Sequence, residues 1–497
     1  MARFYIENFG CRATQADGAA LERQFLQRGL ERATAARDAE IVVLNTCTVT
    51  EGADKDARAS IRRLQRVNPG CRILVTGCYA QRAPEELAAL PGVTWVVGNS
   101  HKHQAAEIAT SPAVGFVSLA QLSREQQHPV LGPSSEDRLS GQAGNVIVGD
   151  IFAHTELLAA PVFEAANERT RPNLKVQDGC DNRCSFCVIP YVRGQSRSLP
   201  GDRVIAEVRT LVEAGYREVV ISGINLGRWG RDLEGSSQLS AVSSQLKPAT
   251  NDHRLVSLIR AILDHTSLEK LRISSVEPMD WTDELIELVA ASGRVAKHAH
   301  VPMQSGNDRV LRRMHRKYRP WHYREKILKI RSAMPTAAIG ADVMVGFPGE
   351  TEAEFNETRR MIEELPFTYL HVFTYSARPG TPAAEQPAQV PVAVARERNR
   401  VLREIASKKK AVFMRSLVGR VVEAITLQSG GAEFTEALTD NYLKMKISGH
   451  YEANRWMDVK VGGAIGEMLL GKASVDRAPG PAWLDPEEER PACSPVK

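Results

Sequence analysis

The stretch QDGCDNRCSFC, from Gln177 to Cys187, places three cysteines in the spacing CxxxCxxC. It follows the apolar run NLKV, which predicts a buried strand, so the three thiols would converge on one side of a short loop. Three thiolates can hold a four-iron cluster and leave one iron open to a small molecule, whereas structural zinc normally requires a fourth protein ligand. The spacing favours the open cluster, and a zinc site completed by Cys71 or Cys493 is the alternative. The ligands in either case are Cys180, Cys184 and Cys187.

Strand-like runs continue along the chain, each separated from the next by enough residues for a helix. They are NLKVQDG, EVVISGI, KLRISSVEP, HAHVPM, AIGADVMVGF and YLHVFTYS. A series of this kind predicts parallel strands, and six units predict a partial barrel, (β/α)6, over residues 168–405 rather than the full eight units. The Ser-rich segment Gly235–His253 predicts an inserted loop.

The chain on either side of this core predicts two further α/β and β units. In residues 1–117 the runs ARFYIENFG, IVVLNT, RILVTG and VTWVVG alternate with helical stretches, which predicts a Rossmann-like domain with a parallel sheet. Residues 118–167 are polar and interrupted by Pro and Gly, which predicts a linker. The runs GRVVEAITL, YLKMKISG and GEMLLGKAS predict a small β-barrel over residues 406–475, and the Pro- and Glu-rich residues 476–497 predict a disordered tail.

Composition limits the class of protein. At 497 residues, with 43% hydrophobic and 25% charged residues, the chain predicts about three globular domains. No apolar run approaches the roughly 18 residues that would span a bilayer, and the first residues lack the apolar stretch of a signal peptide. We therefore expect a cytoplasmic protein without membrane segments. Its eight cysteines should be reduced there, so their spacing indicates metal binding or catalysis before disulfides.

Three further cysteines follow predicted strands of the first domain, in ENFGCRATQ, VLNTCTVT and VTGCYAQ. Ligands collect at the carboxyl edge of a parallel sheet, so these thiols could meet there and hold a second cluster with its own open iron. Buried cysteine also serves as a small apolar side chain, which is the alternative. The three residues are Cys11, Cys47 and Cys78.

The cysteine contexts resemble a known family. CxxxCxxC with Phe186 before the last cysteine is similar to the radical S-adenosylmethionine superfamily, and the GC, NTCTVT and TGCYAQ contexts resemble the amino-terminal domain of its methylthiotransferases. The resemblance covers nearly the whole chain and implies two 4Fe-4S clusters, one on each cysteine set. Cys71 and Cys493 match no family ligand. Thr14, where the family commonly has Asn, and Ala296–Lys297, where relatives often carry Cys–Pro, are departures from the pattern.

The same resemblance implies a mechanism. One S-adenosylmethionine donates a methyl group to sulfur at the amino-terminal cluster, and a second is cleaved at the core cluster to a 5′-deoxyadenosyl radical. The radical removes hydrogen from carbon 2 of an adenine ring, to which sulfur then bonds as methylthio. This implies two S-adenosylmethionine molecules per turnover, a reducing electron donor and a sulfur source. The cofactor supplies the difficult chemistry, and the protein positions it and excludes water.

Segments at the ends of other core strands are similar to the cofactor-binding regions of this superfamily. SGINLG corresponds to a contact with the methionine amino group, and the backbone of VMVGFPGE to a contact with adenine; an ordinary strand-to-helix turn is the alternative for each. HAHVPMQSG carries His298 and His300, which could instead be core residues, and a loop suited to ribose or substrate. The candidate residues are Gly223, Asn225, Gly227, Glu277, Gln304, Ser305, Val345, Gly346 and Phe347.

The substrate expectation also comes from resemblance. The segments CSFCVIPYVRGQSRS, PMQSGNDRVLRRMHRKY and HVFTYSARPGTPA are most similar to the branch that modifies threonylcarbamoyladenosine at position 37 of tRNA, next to the anticodon. Isopentenyladenosine in tRNA, an aspartate of a ribosomal protein, and a non-catalytic iron–sulfur RNA-binding role are the alternatives. The carboxy-terminal runs resemble a TRAM domain, and the basic stretch around Tyr318, Trp321 and Tyr323 suits either RNA stacking or a solvated helix with buried aromatics.

Overall fold

The computed structural model describes residues 2–111, 145–154, 157, 171–233, 254–431 and 433–476. The predicted insertion at 235–253, most of the predicted linker, the predicted tail from residue 477 and Cys493 lie outside these residues. The chain divides into two compact units, Met1–Lys410 and Ala411–Lys497.

The first sheet of the larger unit has six parallel strands in the order β2-β1-β3-β4-β5-β6. The strands are β1 Arg3–Asn8, β2 Glu31–Arg32, β3 Ile41–Thr46, β4 Arg72–Gly77, β5 Val93–Gly98 and β6 Asn145–Ile147. The helices are α1 Arg12–Gln27, α2 Glu51–Val67, α3 Cys78–Arg82, α4 Pro84–Ala88 and α5 Ala105–Thr110. The Rossmann-like sheet is confirmed, and β6 belongs to it although it lies in the range predicted as a linker.

The sequence of β3 explains why this sheet is covered on both faces. All six of its residues are buried. Val42 and Leu44 point into one apolar cluster, whereas Ile41 and Val43 belong to a separate one. Alternate residues of a strand point to opposite faces, so a continuous apolar run is what a sheet between two helical layers requires.

The core of the larger unit is a six-strand partial barrel, as predicted. Its parallel strands are β7 Asn173–Asp178, β9 Glu218–Gly223, β10 Lys270–Ile273, β11 His298–His300, β12 Ala338–Val345 and β13 Tyr369–Thr374, and β8 Arg197–Ser198 pairs antiparallel to β7. Continuous ladders join β10-β9-β7-β8 and β11-β12-β13, and two isolated parallel bridges, Leu271 with Val295 and Ser275 with His300, join the two sheets.

Helices follow these strands and cover the outside of the barrel with an apolar core between the two layers. They are α6 Ile189–Arg193, α7 Gly201–Glu213, α8 Arg254–His265, α9 Asp283–Ala291, α10 Asp308–Arg313, α11 Pro320–Ala333, α12 Glu352–Glu364 and α13 Val392–Ser416. Side-chain caps fix several starts; Thr351, for example, forms a reciprocal capping box with Glu354 at the start of α12. None of the helices that the structure describes has the length and apolar character needed to cross a membrane.

The smaller unit is a closed five-strand barrel in the order β14-β15-β16-β18-β17. The strands are β14 Val421–Gly431, β15 Phe434–Thr439, β16 Lys444–Ser448, β17 Trp456–Ile465 and β18 Met468–Asp476. The small β-barrel is confirmed and is consistent with a TRAM-like domain. Two strands, β15 and β17, are not predicted from the sequence, because charged residues interrupt their apolar residues and β17 contains a Gly pair.

Candidate active site

The first cysteine set occupies the loop between β7 and α6. Gly179 begins it with φ +70°, and a Cβ there would lie 1.9 Å from the carbonyl oxygen of Gln195, so only glycine fits this turn. Two backbone hydrogen bonds hold the loop: the amide of Cys180 donates to the carbonyl of Gly194 at 3.1 Å, and the amide of Cys187 donates to the carbonyl of Cys184 at 3.1 Å. The three thiols are therefore carried on one hydrogen-bonded loop at the carboxyl end of the first barrel strand.

Two side chains donate hydrogen bonds to sulfur atoms of this set. Arg316 Nη1 lies 3.2 Å from Cys184 Sγ, and Asn225 Nδ2 lies 3.7 Å from Cys180 Sγ. Arg316 also forms a buried ion pair with Glu277, whose pKa is raised by burial against the opposing effect of the guanidinium. Burial raises the pKa of Cys180, and the hydrogen bond from Asn225 opposes this effect.

Several polar atoms at the ends of neighbouring strands are buried without a hydrogen-bond partner: Ser222 Oγ, Asn225 Oδ1 and Ser274 Oγ. Ser222 lies in β9, and Ser274 directly follows β10. Leaving such groups unpaired costs about 1–3 kcal/mol each, so their position at the ends of neighbouring strands is typical of a site that binds a polar ligand. Of the three residues, Asn225 contacts Cys180. Ser222 begins the predicted SGINLG segment, but neither serine is among the predicted contact residues, although a small polar residue at a strand end was the available signal.

The predicted glycines allow close packing at the same edge. A Cβ on Gly223 would lie 2.7 Å from Gln177 Oε1, and a Cβ on Gly227 would lie 2.4 Å from the Cβ of Asp280. Gln177 is buried and joins two loops, since its Oε1 accepts from the Asn225 amide at 2.7 Å while its Nε2 donates to the Gly179 carbonyl at 2.9 Å. These residues hold Asn225 beside the cysteine loop.

The residues predicted after β11 have different environments. Gln304 has φ +60°, a left-handed conformation that favours glycine, and its backbone pairs with Asp342 and Met344 of β12. The hydroxyl of Ser305 is engaged within the protein, 3.1 Å from Thr358 Oγ1 and accepting from the Asn307 amide at 3.2 Å. Of the two residues, Gln304 therefore remains the better candidate for a ligand contact.

The two histidines of β11 belong to a packed polar cluster. His298 Nε2 lies 2.7 Å from the hydroxyl of Tyr369, and His300 Nε2 lies 3.2 Å from Asp342 Oδ1. Both imidazoles also stack on the ring of Tyr369. These contacts match the interpretation of the histidines as core residues.

The segment after β12 forms a tight turn beside the cysteine loop. Val345 and Phe347 are fully buried, and Gly346 has φ +75° and donates its amide to Glu350 at 2.7 Å. The ring of Phe347 packs edge-on against Phe186, which precedes Cys187, with ring centroids 6.5 Å apart. This turn is therefore in contact with the predicted cluster loop.

The second cysteine set lies at the carboxyl edge of the first sheet. Cys11 precedes α1, Cys47 directly follows β3, and Cys78 is the first residue of α3 after β4. The Cys11 loop meets Cys47, because a Cβ on Gly10 would lie 2.6 Å from the Cys47 Cβ. Cys71 precedes β4 and so lies at the opposite edge.

Burial controls the charge state of both sets. It raises the pKa of Cys47 to about 12, and the neighbouring Cys78 and Cys11 thiols add to the effect. Burial likewise raises the pKa of Cys187 to about 12, with Cys184 contributing. Thiolates at these positions need a compensating cation, which a metal cluster supplies.

The two cysteine sets lie against each other, which the sequence analysis did not predict. Cys78 of the first domain and Cys180 of the core lie in one apolar cluster with Val188, Ile189 and Val192, and Cys187 packs against it. Asn99 ties the same region together by donating to the Val192 carbonyl at 2.7 Å and to Cys78 Sγ at 3.5 Å. A group held by either set would therefore lie close to the other set.

A buried ionic contact fastens the Cys47 loop to the core. Arg378, which follows β13, donates to Asp54 Oδ2 at 2.8 Å and to the Thr48 carbonyl at 3.2 Å. Arg82 donates to the same Asp54 oxygen at 3.0 Å, and the Thr48 hydroxyl donates to Asp54 Oδ1 at 2.6 Å. Asp54 therefore holds Thr48, the residue after Cys47, and is itself held by arginines of both domains.

Replacing Gly77 with alanine should displace Cys78. Gly77 has φ +102°, and a Cβ would lie 2.3 Å from the Thr46 carbonyl oxygen, so the strand end would have to move. We expect iron analysis of the purified variant to show loss of one cluster's iron. Gly52→Ala is the matched control, since its Cβ would meet only Thr50 Oγ1 at 3.7 Å and should leave iron unchanged. Full iron in Gly77→Ala would contradict a role for Cys78 as a ligand.

Comparison with known proteins assigns the family. Residues 3–98 match the uncharacterized protein family UPF0004, and residues 174–362 match the radical SAM superfamily. The threonylcarbamoyladenosine tRNA methylthiotransferase MtaB of Bacillus subtilis is 36% identical over 90% of this chain and 91% of its own length. The chain belongs to the radical S-adenosylmethionine methylthiotransferase family. Membership identifies it as an enzyme of this type and implies a 4Fe-4S cluster and S-adenosylmethionine.

Other members of the methylthiotransferase family are also similar. MtaB of Aquifex aeolicus is 33% identical over 92% of this chain and 99% of its own length. A tRNA-2-methylthio-N(6)-dimethylallyladenosine synthase of Erythrobacter litoralis is 32% identical over 86% of this chain and 87% of its own length. Among solved structures, the radical S-adenosylmethionine methyltransferase TsrM of Kitasatospora setae has a TM-score of 0.50 at 14% identity, covering 77% of this chain and 74% of its own, which indicates the fold alone.

Proposed function

We propose that this methylthiotransferase acts on tRNA and converts threonylcarbamoyladenosine at position 37, next to the anticodon, to its 2-methylthio derivative. The names of the relatives in Bacillus subtilis and Aquifex aeolicus support this substrate. Methylthiolation of isopentenyladenosine is the second candidate, because the Erythrobacter litoralis relative, named for dimethylallyladenosine, is almost as similar.

The observation that carries the proposal is the shared apolar cluster of Cys78 and Cys180. In the proposed assignment Cys180, Cys184 and Cys187 hold one 4Fe-4S cluster, and Cys11, Cys47 and Cys78 hold another. When bound, these clusters and two S-adenosylmethionine molecules per turnover would supply radical formation and methylthio transfer. The packing of the two sets supports a reaction in which both act on one substrate atom.

The chain's own side chains have defined tasks in this proposal. Ser222, Asn225 and Ser274 would bind the amino and carboxylate groups of S-adenosylmethionine, because their unpaired polar atoms lie at the ends of β9 and β10 or in the loop after β9, and Asn225 contacts Cys180. Arg316 would orient the cluster loop through its bonds to Cys184 and Glu277. Phe347 and Phe186 would exclude water on the other side of the loop. No general base is assigned, since an unactivated C–H bond has no useful acid–base route.

Contacts with RNA would use only part of the basic aromatic stretch. Tyr318 and Tyr323 are buried, and their hydroxyls donate to backbone carbonyls of Met303 and Val301 at 2.7 Å each. Both rings pack in the core and are therefore not accessible for stacking on a base. Trp321 is 56% exposed and remains available for a base. The proposal further includes a reducing electron donor, a sulfur source and a cytoplasmic location.

Mass spectrometry of nucleosides from bulk tRNA tests the proposal. In cells that lack this gene we expect the methylthio derivative to disappear and threonylcarbamoyladenosine to accumulate, and the intact gene should restore the product. A gene encoding Cys184→Ala should not restore it, which separates catalysis from RNA binding. Loss of the methylthio form of isopentenyladenosine instead would establish the second candidate, and unchanged tRNA would exclude both.

A further inference from the structure

Five buried charged residues connect the first domain to the core between the two cysteine sets; we call them the interface charge network. They are Asp17, Lys102, Lys175, Asp178 and Arg193. Asp17, on α1, accepts from Lys102 of its own domain at 2.9 Å. It also accepts a hydrogen bond from Arg193 Nη2 of the core at 3.0 Å and forms an ion pair with Lys175 of the core. Asp178 completes the network by accepting hydrogen bonds from Lys175 Nζ at 2.7 Å and from Arg193 Nη1 at 2.9 Å.

The network carries more positive than negative charge. Its three cations face two carboxylates, and all five side chains are at most 9% exposed. The other titratable groups lining the adjoining cavity are Arg197, His103 and His154, none of which is an acid. Burial lowers the pKa of His154 to about 4, and Arg197 adds to this effect, so that imidazole is neutral at neutral pH. The surplus positive charge is therefore not balanced by a carboxylate in this cavity.

The second cysteine set adjoins the network: Arg193 directly follows Val192, which shares an apolar cluster with Cys78, and Asn99, which lines the same cavity as Lys102 and Arg193, donates to Cys78 Sγ at 3.5 Å. Burial opposes the charged form of Arg193, yet the carboxylates of Asp178 and Asp17 and the thiols of Cys78 and Cys11 together raise its pKa well above the usual value. Burial lowers the pKa of Lys102, and Asp17 and Cys78 oppose this effect by favouring the charged form. The network thus faces the cysteines that would be thiolates in a loaded enzyme.

We infer that the interface charge network holds the first domain on the core and stabilises, through its surplus positive charge, the more reduced state of a cluster bound by Cys11, Cys47 and Cys78. This inference rests on the proposed second cluster. A cluster gains negative charge on reduction, and a nearby buried cation lowers the free energy of that state, which raises the reduction potential. Lys102 and Asp17 then set the potential in opposite directions.

The test is a redox titration of the full chain followed by electron paramagnetic resonance. Replacing Cys180, Cys184 and Cys187 by alanine leaves only the second cluster to be read, and this parent is compared with single variants. Lys102→Met should shift the midpoint potential to more negative values, and Asp17→Asn should shift it to more positive values. Lys102→Arg should keep the parent's potential, because it retains the charge. Lys55→Met, which removes an exposed lysine of the same domain, should also leave it unchanged.

The outcomes distinguish this inference from the proposed function. A parent that binds no iron at the second set would overturn the proposed cluster itself. A loaded parent whose potential is unchanged in both variants, or shifts in the same direction in both, would overturn the inference alone, because a structural disturbance has no charge sign. If Lys102→Met loses its iron, retention in Lys102→Arg supports a requirement for the charge, and loss in both variants contradicts it.

Discussion

Alanine at Cys184 should abolish cleavage of S-adenosylmethionine, whereas alanine at Cys47 should leave part of the cleavage and abolish the methylthio product. Cys184 belongs to the loop at the end of β7, and its sulfur accepts from Arg316 at 3.2 Å. Cys47 lies on the first domain, at the end of β3. The two variants therefore remove ligands from different proposed clusters. The measurement is 5′-deoxyadenosine and methylthio-nucleoside from the same reconstituted reaction.

Cys71→Ala provides the matched control for this pair. Cys71 is a cysteine of the first domain at the edge opposite to Cys47, so both activities should equal those of the unmodified enzyme. Equal loss of cleavage in Cys47→Ala and Cys184→Ala would contradict separate roles for the two sets. Loss of product in Cys71→Ala would show that the ligand assignment in the first domain is wrong.

Replacing Asp54 with asparagine should destabilise the protein by about 3–5 kcal/mol, because it leaves two guanidinium groups without their shared carboxylate. The Asp54 and Arg378 side chains are only 3% and 5% exposed, so water cannot replace the lost charge. The same change should loosen the Cys47 loop, since Asp54 also accepts the hydroxyl of Thr48. Urea unfolding of the loaded enzyme, followed by circular dichroism, measures the loss.

Glu51→Gln is the control on the same helix. Glu51 forms an exposed pair with Lys55, which water and salt screen, and its removal should not shift the unfolding midpoint measurably. A midpoint for Asp54→Asn equal to that of Glu51→Gln would mean that the buried contact does not hold the two domains together.

The local sequence was sufficient to predict the strands and loops that carry the cysteines. The run IVVLNT predicts a buried strand because it is mostly apolar and rich in β-branched residues, and all six of its residues are buried in the structure. Cys47 directly follows the end of that strand. The spacing of Cys180, Cys184 and Cys187 fixes a single loop in the same way. These features depend on residues adjacent in sequence, and the predicted six core strands are all present.

The proximity of the two cysteine sets could not be predicted in this way, because it depends on how the first domain docks on the core. The signals were charged residues in apolar positions: Lys175 within a buried strand and Asp17 on the buried face of α1. Neither residue by itself indicates an interface. Only the ion pair that they form between the core and the first domain shows their role. For Tyr318 and Tyr323 the local composition was misleading instead. The basic aromatic stretch is suited to RNA binding, but these two side chains pack in the core.

Backbone pairing along the wall of the barrel is uneven. Ladders run without interruption through β7, β9 and β10 and through β11, β12 and β13, whereas in the described part of the chain two isolated bridges connect the two groups. The wall therefore has fewer backbone hydrogen bonds where the two groups meet than within either group. Glu277 follows the first group and Gln304 the second, so a small rotation at this junction would change the distance between them while every ladder stays intact.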